Sequence, residues 1–463
     1  MAIAMRGIMN QHADRPNRVS LSLPATCVAS ILALMLGCGG SADPTATGST
    51  GSSTGGGGTA GVGGSSSTTG GGGTGVGGTG GGTVQPDGCY DALASDVSLE
   101  DVQLFQVVGV DAAIDGEAIP VDYRNAPLVQ GRDAVLRARI DVGSSFAPRE
   151  LAARVTINTS GGEQTFLDKT MISGDADHAD PTSSFVVELP ASALVADATY
   201  SVSIVECDEP KGAPASEARF PVDGEAELGA IATGPLKIHL VPFEVSGFAP
   251  DTSAAVIDGF RDAALAVYPV TSVEVTVAPL VQGFSDHVDT TDLLVETGAM
   301  QDQIDLAPAD VYYYGIFTGY ASRQDYEDQC DCPTGTSQEL FHRAGFAVGA
   351  AFADQKSEDT LIHEMGHLHG LPHAPCGGAP GDDPGYPYED GIIHSEGWDI
   401  RTSSFVPSSH KDMMAYCYPR WISDYNYEKL ASWVQMAQAD WVSSAASTSP
   451  PGSRPDVVHC TGY

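Results

Sequence analysis

The stretch His363-Glu364-Met365-Gly366-His367-Leu368-His369-Gly370-Leu371-Pro372-His373 constrains this chain more than any other. Histidines four residues apart project from one face only if the backbone around them is helical. Gly370 ends that helix and lets the chain turn back, so that His373 arrives beside the first two. Whatever fold surrounds this stretch must supply a helix, a sharp stop and a return. The chemistry follows from the spacing. His363 and His367 can grip one metal ion, and Glu364 beside them is placed to take a proton from a water. With His373 as a third nitrogen ligand and one position left open, the pattern is that of a catalytic zinc site rather than a structural one. His369 is out of phase with the ligand face and reads as a bystander. The plain alternative is an amphipathic helix whose histidines sit in solvent or core. Another keeps the metal but takes Glu389 or Glu396 as third ligand.

With these residues in place, the run resembles the zinc signature of the metzincin metallopeptidases, a clan that also carries a methionine-containing turn downstream. Asp412-Met413-Met414-Ala415-Tyr416-Cys417 is similar to that turn, with Met414 at the methionine position. The resemblance covers roughly residues 230 to 445. It implies Zn2+ as cofactor and Tyr416 as a residue that approaches the metal and steadies the transition state. The stretch Pro419-Arg420-Trp421-Ile422-Ser423-Asp424-Tyr425 looks most like bacterial secreted metzincins, including the mucin-cleaving group. The implied activity is hydrolysis of extracellular protein or glycoprotein substrates. A rival reading is a surface binding or adhesion lipoprotein on an inactive metallopeptidase fold. A hydrolase acting on a non-peptide amide is a third.

The whole chain narrows the partners. Its 463 residues carry 60 acids against 22 bases, a net charge of -38. Such a surface repels nucleic acid and anionic head groups. Contact with a membrane is therefore expected only through an N-terminal lipid anchor. Arg6, Arg15 and Arg18 flank an apolar core from Leu21 to Gly37, and Met35-Leu36-Gly37-Cys38 resembles a lipobox, although Met35 replaces the commoner leucine. Residues 1–38 read as a lipoprotein signal with Cys38 as the lipidation site. An ordinary secretory signal is the alternative, and either one exports the protein to the cell envelope, outer membrane or medium. Residues 39–86 are dominated by Gly, Ser and Thr and read as a disordered tether.

Beyond the tether, residues 87–225 read as an all-β, immunoglobulin-like sandwich. Its strands include Val102–Val108, Ala134–Ile140 and Tyr200–Val205. From 226 to 463 the pattern turns to α+β, as expected of a metzincin-like catalytic domain. Strands are expected at Leu236–Val241, Ser272–Ala278 and Val311–Phe317, and helices over 252–268 and 427–443. Gly345–Ala350 is the expected edge strand above the cleft, where an extended substrate would add by backbone hydrogen bonds. The site helix should run from Ser357, as N-cap, to His369. Of nine cysteines, Cys27 and Cys38 lie in the signal, and an odd seven remain. In an exported protein these are disulfide candidates. Cys89 with Cys207 would close the β domain, Cys376 and Cys417 would brace the metal site, and Cys330 and Cys332 should seek different partners. The run Asp87-Gly88-Cys89 allows a latency thiol, but a disulfide is the favoured reading. Asp382-Asp383 and Asp325 to Asp331 are acidic loops that could hold calcium, with a solvated surface as the simpler account.

Overall fold

The computed structural model describes residues 83–446, apart from 179, 211, 304–309 and 339–344. The segment expected to be an export signal, Cys38, Cys460 and the expected tether up to residue 82 lie outside the described residues.

Alternating sequence builds the N-terminal part. In β1 (Val97–Phe105), Val97, Leu99, Val102 and Leu104 turn inward, and a bulge between Leu99 and Asp101 keeps the apolar set on one face. One antiparallel sheet orders β2 (Gly109–Ile114), β1, β3 (Ala134–Val142) and β6 (Phe185–Leu189), with Glu117–Ala118 outside β2. The second orders β7 (Thr199–Glu206), β4 (Arg149–Thr159) and β5 (Gly162–Ile172), with Arg219–Phe220 and Ala226–Glu227 on the outer side of β7. Leu104, Leu136 and Ile140 of the first sheet and Val155, Ile157 and Val202 of the second belong to one apolar core. Cys89 is joined to Cys207 beside β7.

The following part is built on parallel strands, whose burial on both faces requires near-continuous apolar runs. β8 (Leu236–Val245) lies between β9 (Val273–Val277) and β10 (Val311–Phe317), and β10 pairs with β12 (Phe346–Ala350). Every residue of β10 after Val311 is buried. The helices are α1 (Ala254–Val267), α2 (Thr290–Gln303), α3 (Arg323–Gln329), α4 (Gln355–Leu368) and α5 (Asp424–Ala446). β8, β9, β10, β12, α1, α4 and α5 coincide within a few residues with elements expected from periodicity, whereas α2 and α3 are not among those expected. The edge differs. β12 is interior, because β11 (Gly335–Ser337) runs antiparallel outside it, with Thr336 opposite Val348. β11 is three residues of Gly, Thr and Ser, too short and too polar to give a strand signal.

The two parts are not separated by solvent. Side chains from both sheets of the first part, from β8, α1 and α4, and from the segment after His373 share the same core. Arg132 is buried between them, and its guanidinium donates to the carbonyls of Leu265 (2.6 Å), Tyr268 (2.5 Å) and Gln106 (3.4 Å). Cys330 and Cys332 are joined to each other, contrary to the expectation of different partners, within the loop between α3 and β11. Among the described residues, no helix is long and apolar enough to cross a membrane.

Candidate active site

α4 carries the first two histidines, and its start is fixed by charge. The N-cap is Asp354, whose carboxylate accepts from Ser357 N at 2.9 Å, while Arg323 clamps that carboxylate at 3.0 and 2.8 Å. Ser357, expected as the cap, is instead three residues inside. Its hydroxyl donates back to Asp354 and accepts from Phe352 N. Serine suits both positions, so the one-turn shift was invisible in composition. The helix ends as Gly370 predicts. At φ +73° this residue lets its own N–H reach His367 O (2.8 Å) and Leu371 N reach Gly366 O (3.1 Å), a paired C-terminal closure.

That closure returns the chain so that the ring nitrogens of His363, His367 and His373 converge. His367 Nε2 lies 3.2 Å from His363 Nε2 and 3.1 Å from His373 Nε2. On the far side of each ring, Nδ1 faces a backbone carbonyl: Met413 O at 2.9 Å for His363, Leu371 O at 2.8 Å for His367 and Pro380 O at 2.5 Å for His373. A carbonyl only accepts, so each Nδ1 carries the proton and each Nε2 presents a lone pair. Three lone pairs facing one another are repulsive unless a cation sits among them. The donor set, its spacing and its carbonyl-anchored tautomers therefore fit a divalent metal. Burial holds His363 well below its ordinary pKa, and burial together with His373 brings His367 down to about 4. Both stay in the neutral form that a metal binds.

Glu364 points toward β11. Burial pushes its carboxyl up to about 8, opposed by a hydrogen bond with Ser337. A Cβ on Gly335 would fall 2.6 Å from Glu364 Oε1, so glycine there leaves room for the carboxylate. His369 faces the other way. It is buried, its Nδ1 donates to Met365 O at 2.7 Å, and Tyr312 OH meets its Nε2 at 2.8 Å.

The turn at 412–417 lies under this helix. Met414 is fully buried, and its sulfur would stand 2.4 Å from a Cβ on Gly366. Gly366 is thus what allows helix and turn to approach. Asp412, also buried, accepts from Met414 N (2.8 Å), Ser423 N (2.9 Å), Ser423 Oγ (2.6 Å) and Asn426 Nδ2 (2.8 Å). It ties the turn to the start of α5. Tyr416 stands at the mouth, half-exposed, with its ring centroid 5.0 Å from that of His373 and 5.8 Å from that of His363. Its place is set by the Cys376–Cys417 disulfide and by Tyr416 N donating to Cys376 O at 3.1 Å.

His363, Glu364 and Tyr416 line one cleft of about 320 Å³ with Arg323, Lys356 and Arg420. Neither alternative third ligand joins the histidines. Glu396 pairs with Arg137 and Arg139 of β3, and Glu389 begins a short 3-10 turn. Cys89 is in its disulfide and offers no thiol. Of the acidic loops, Asp383 is taken by Lys429 (2.7 Å) and Tyr425 (3.0 Å). The sequence reading missed Asp412, Gly366 and the three carbonyl acceptors. Only Asp412, beside the turn methionines, carried any local signal.

Residues 325–441, from α3 into α5, match the family described as Peptidase M66. The match supports a protease of a metallopeptidase family. No curated protein matches the chain. Among solved structures it is similar to one described as "Structure of a chaperone-substrate complex", at 11% identity and a TM-score of 0.26, over 56% of this chain and 39% of that one. A likeness that slight carries no argument about fold or function.

Proposed function

We propose that this chain is a zinc-dependent endopeptidase, exported and tethered through Cys38, that cuts extracellular protein or glycoprotein substrates. The observation that carries the reading is the convergence of three carbonyl-anchored imidazoles beside the buried carboxyl of Glu364. His363, His367 and His373 would hold the ion. Zinc bound there would act as a Lewis acid, polarising the scissile carbonyl and lowering the pKa of water toward neutrality.

The chain's own groups do the rest. Glu364 takes the proton of the attacking water at a carboxylate oxygen and hands it to the leaving amine. Glu364 would be held in its ionised form by a cation on the three histidines, offsetting the effect of burial. Tyr416, at the cleft mouth, donates a hydrogen bond to the developing oxyanion. An extended substrate adds to β11, the edge of this sheet that lines the cleft, so backbone contacts supply affinity without one required side chain. A metzincin-type arrangement for 226–463 is supported by Met414 beneath Gly366 and by the antiparallel edge strand. An immunoglobulin-like sandwich for 87–225 is supported by the two antiparallel sheets around one core.

The test uses the zinc-loaded mature chain, a mixed protein and peptide library, and mass spectrometry of the products. Glu364→Ala should lower kcat/KM by about 10³-fold or more while zinc stays at one per chain. A chelator should abolish cleavage, and added zinc should restore it. Cleavage that survives in Glu364→Ala would sink the mechanism.

A further inference from the structure

We propose that Arg420 is a specificity residue that binds a carboxylate of the substrate beside the scissile bond. The inference rests on the peptidase reading above and adds a ligand class to it.

The chain has 22 bases among 60 acids, yet the cleft at Glu364 is lined by Arg323, Lys356 and Arg420 against only Glu327 and Glu364. Two of these cations are committed. Arg323 holds Asp354 through two nitrogens, and Lys356 Nζ lies 2.8 Å from Glu327. Among the described residues no carboxylate makes a hydrogen bond or ion-pair contact with Arg420. Its Nε donates to Cys417 O at 3.2 Å, and its guanidinium carbon lies 4.1 Å from the centre of the Tyr418 ring. The backbone is also held, because Arg420 pairs with Lys411 in a short parallel bridge. The stem is therefore immobilised while Nη1 and Nη2 donate to nothing among the described residues. A fixed fork of two N–H donors is the geometry that takes a carboxylate bidentately.

Arg420 also stands between two depressions. With Lys356 and Tyr418 it lines both the Glu364 cleft and a neighbouring one of about 380 Å³. The second holds Asp359 and Arg401, and Arg401 is engaged by Asp399 at 2.8 Å. Asp359 feels the Arg420 charge through space without a hydrogen bond or ion-pair contact to its guanidinium, so the fork stays open to a ligand. A substrate lying along the cleft from Glu364 would pass Arg420, and an acidic side chain is the group that completes it. The protein's overall negative field opposes acidic ligands, so selection for one must come from this local contact.

The experiment measures binding, independent of turnover. The zinc-loaded full chain carrying Glu364→Gln is immobilised and exposed to paired peptide libraries that differ only in Asp and Glu against Asn and Gln. Salt is kept at about 0.15 M, where the long-range field is screened beyond about 8 Å. Acidic peptides should be enriched about tenfold, Arg420→Gln should remove the enrichment, and Arg420→Lys should keep part of it. Arg420→Glu should reverse it toward basic peptides, which misfolding cannot mimic. A third library, of neutral glycopeptides with and without a terminal acidic sugar, shows whether the carboxylate also comes from glycan. Equal retention of acidic and amide peptides, no retention of either, or enrichment unchanged in Arg420→Gln overturns the proposal. Acid-selective binding without cleavage by the Glu364 chain would instead overturn the peptidase reading and leave the anion site standing.

Discussion

The two walls of the cleft are built in opposite ways. The upper wall, β11 (held against β12) and α4, is regular structure. Its backbone groups are satisfied by neighbours in a ladder or a helix, and its side chains are placed by period. The lower wall, from His373 to α5, has only short pairings, Gly397–Asp399 with Ser404–Val406 and Lys411–Asp412 with Arg420–Trp421. Contacts from far along the sequence hold it. Val107 O accepts both Trp398 N (2.9 Å) and Trp421 Nε1 (3.0 Å), Gly109 N donates to Glu396 O (2.8 Å), and Asn125 Nδ2 reaches Asp424 (3.1 Å). Arg137 of β3, itself buried, pairs with Glu396. The β-rich part thus holds the lower wall in place.

The largest test of that contrast is removal. A chain beginning at residue 226 would uncover the core shared with α1 and α4, and it would strand the partners of Arg132, Val107 and Arg137. It is expected not to give a cooperative melting transition and to show no cleavage. A truncated chain that melts cooperatively and cuts would mean the lower wall stands alone. Next in size is Asp412→Ala. The change leaves Met414 N, Ser423 N and Asn426 Nδ2 without their buried acceptor, which should cost about 3 kcal/mol. Because Met413 O orients His363, zinc affinity should fall with it. Denaturant unfolding and zinc titration measure both. Loss of stability with unchanged zinc affinity would uncouple the turn from the metal.

Gly366→Ala probes the contact between the walls. In an isolated helix the change would help by about 1 kcal/mol. Here the new Cβ would sit 2.4 Å from Met414 sulfur, so a net loss of about 1–2 kcal/mol is expected. Met414→Ala in the same chain should recover part of it, and the double-mutant cycle should show coupling of at least about 0.5 kcal/mol. An additive result would place the sulfur elsewhere.

The same contrast explains what the sequence revealed. His363, His367, Glu364 and the stop at Gly370 were legible because each follows from local spacing on one helix. Met414 was legible from its motif. The acceptors at Met413, Leu371 and Pro380 are backbone carbonyls, which every residue has, so nothing in the side chains announces them. β11 is hidden by its length, so that its neighbour β12 reads as the edge. Cys330 and Cys332 were expected to part, since two residues is a short span to bridge, but the loop after α3 brings them together. Asp412 gathers donors from Ser423 and Asn426 more than ten residues away, and no window of sequence shows that convergence.

The smallest expected effect separates packing from hydrogen bonding at the junction of the two parts. In Trp421→Phe the ring still fills the space beside Gly397 and Arg401, but the indole N–H to Val107 O is lost. Val107 O keeps its bond from Trp398 N, so no buried group is left wholly unsatisfied. The cost should therefore be that of one neutral hydrogen bond, about 1 kcal/mol, in the first unfolding transition. A loss of about 3 kcal/mol would mean that the indole's shape, rather than its donor, joins the lower wall to the β-rich part, and Val107 would then be a neighbour rather than an anchor.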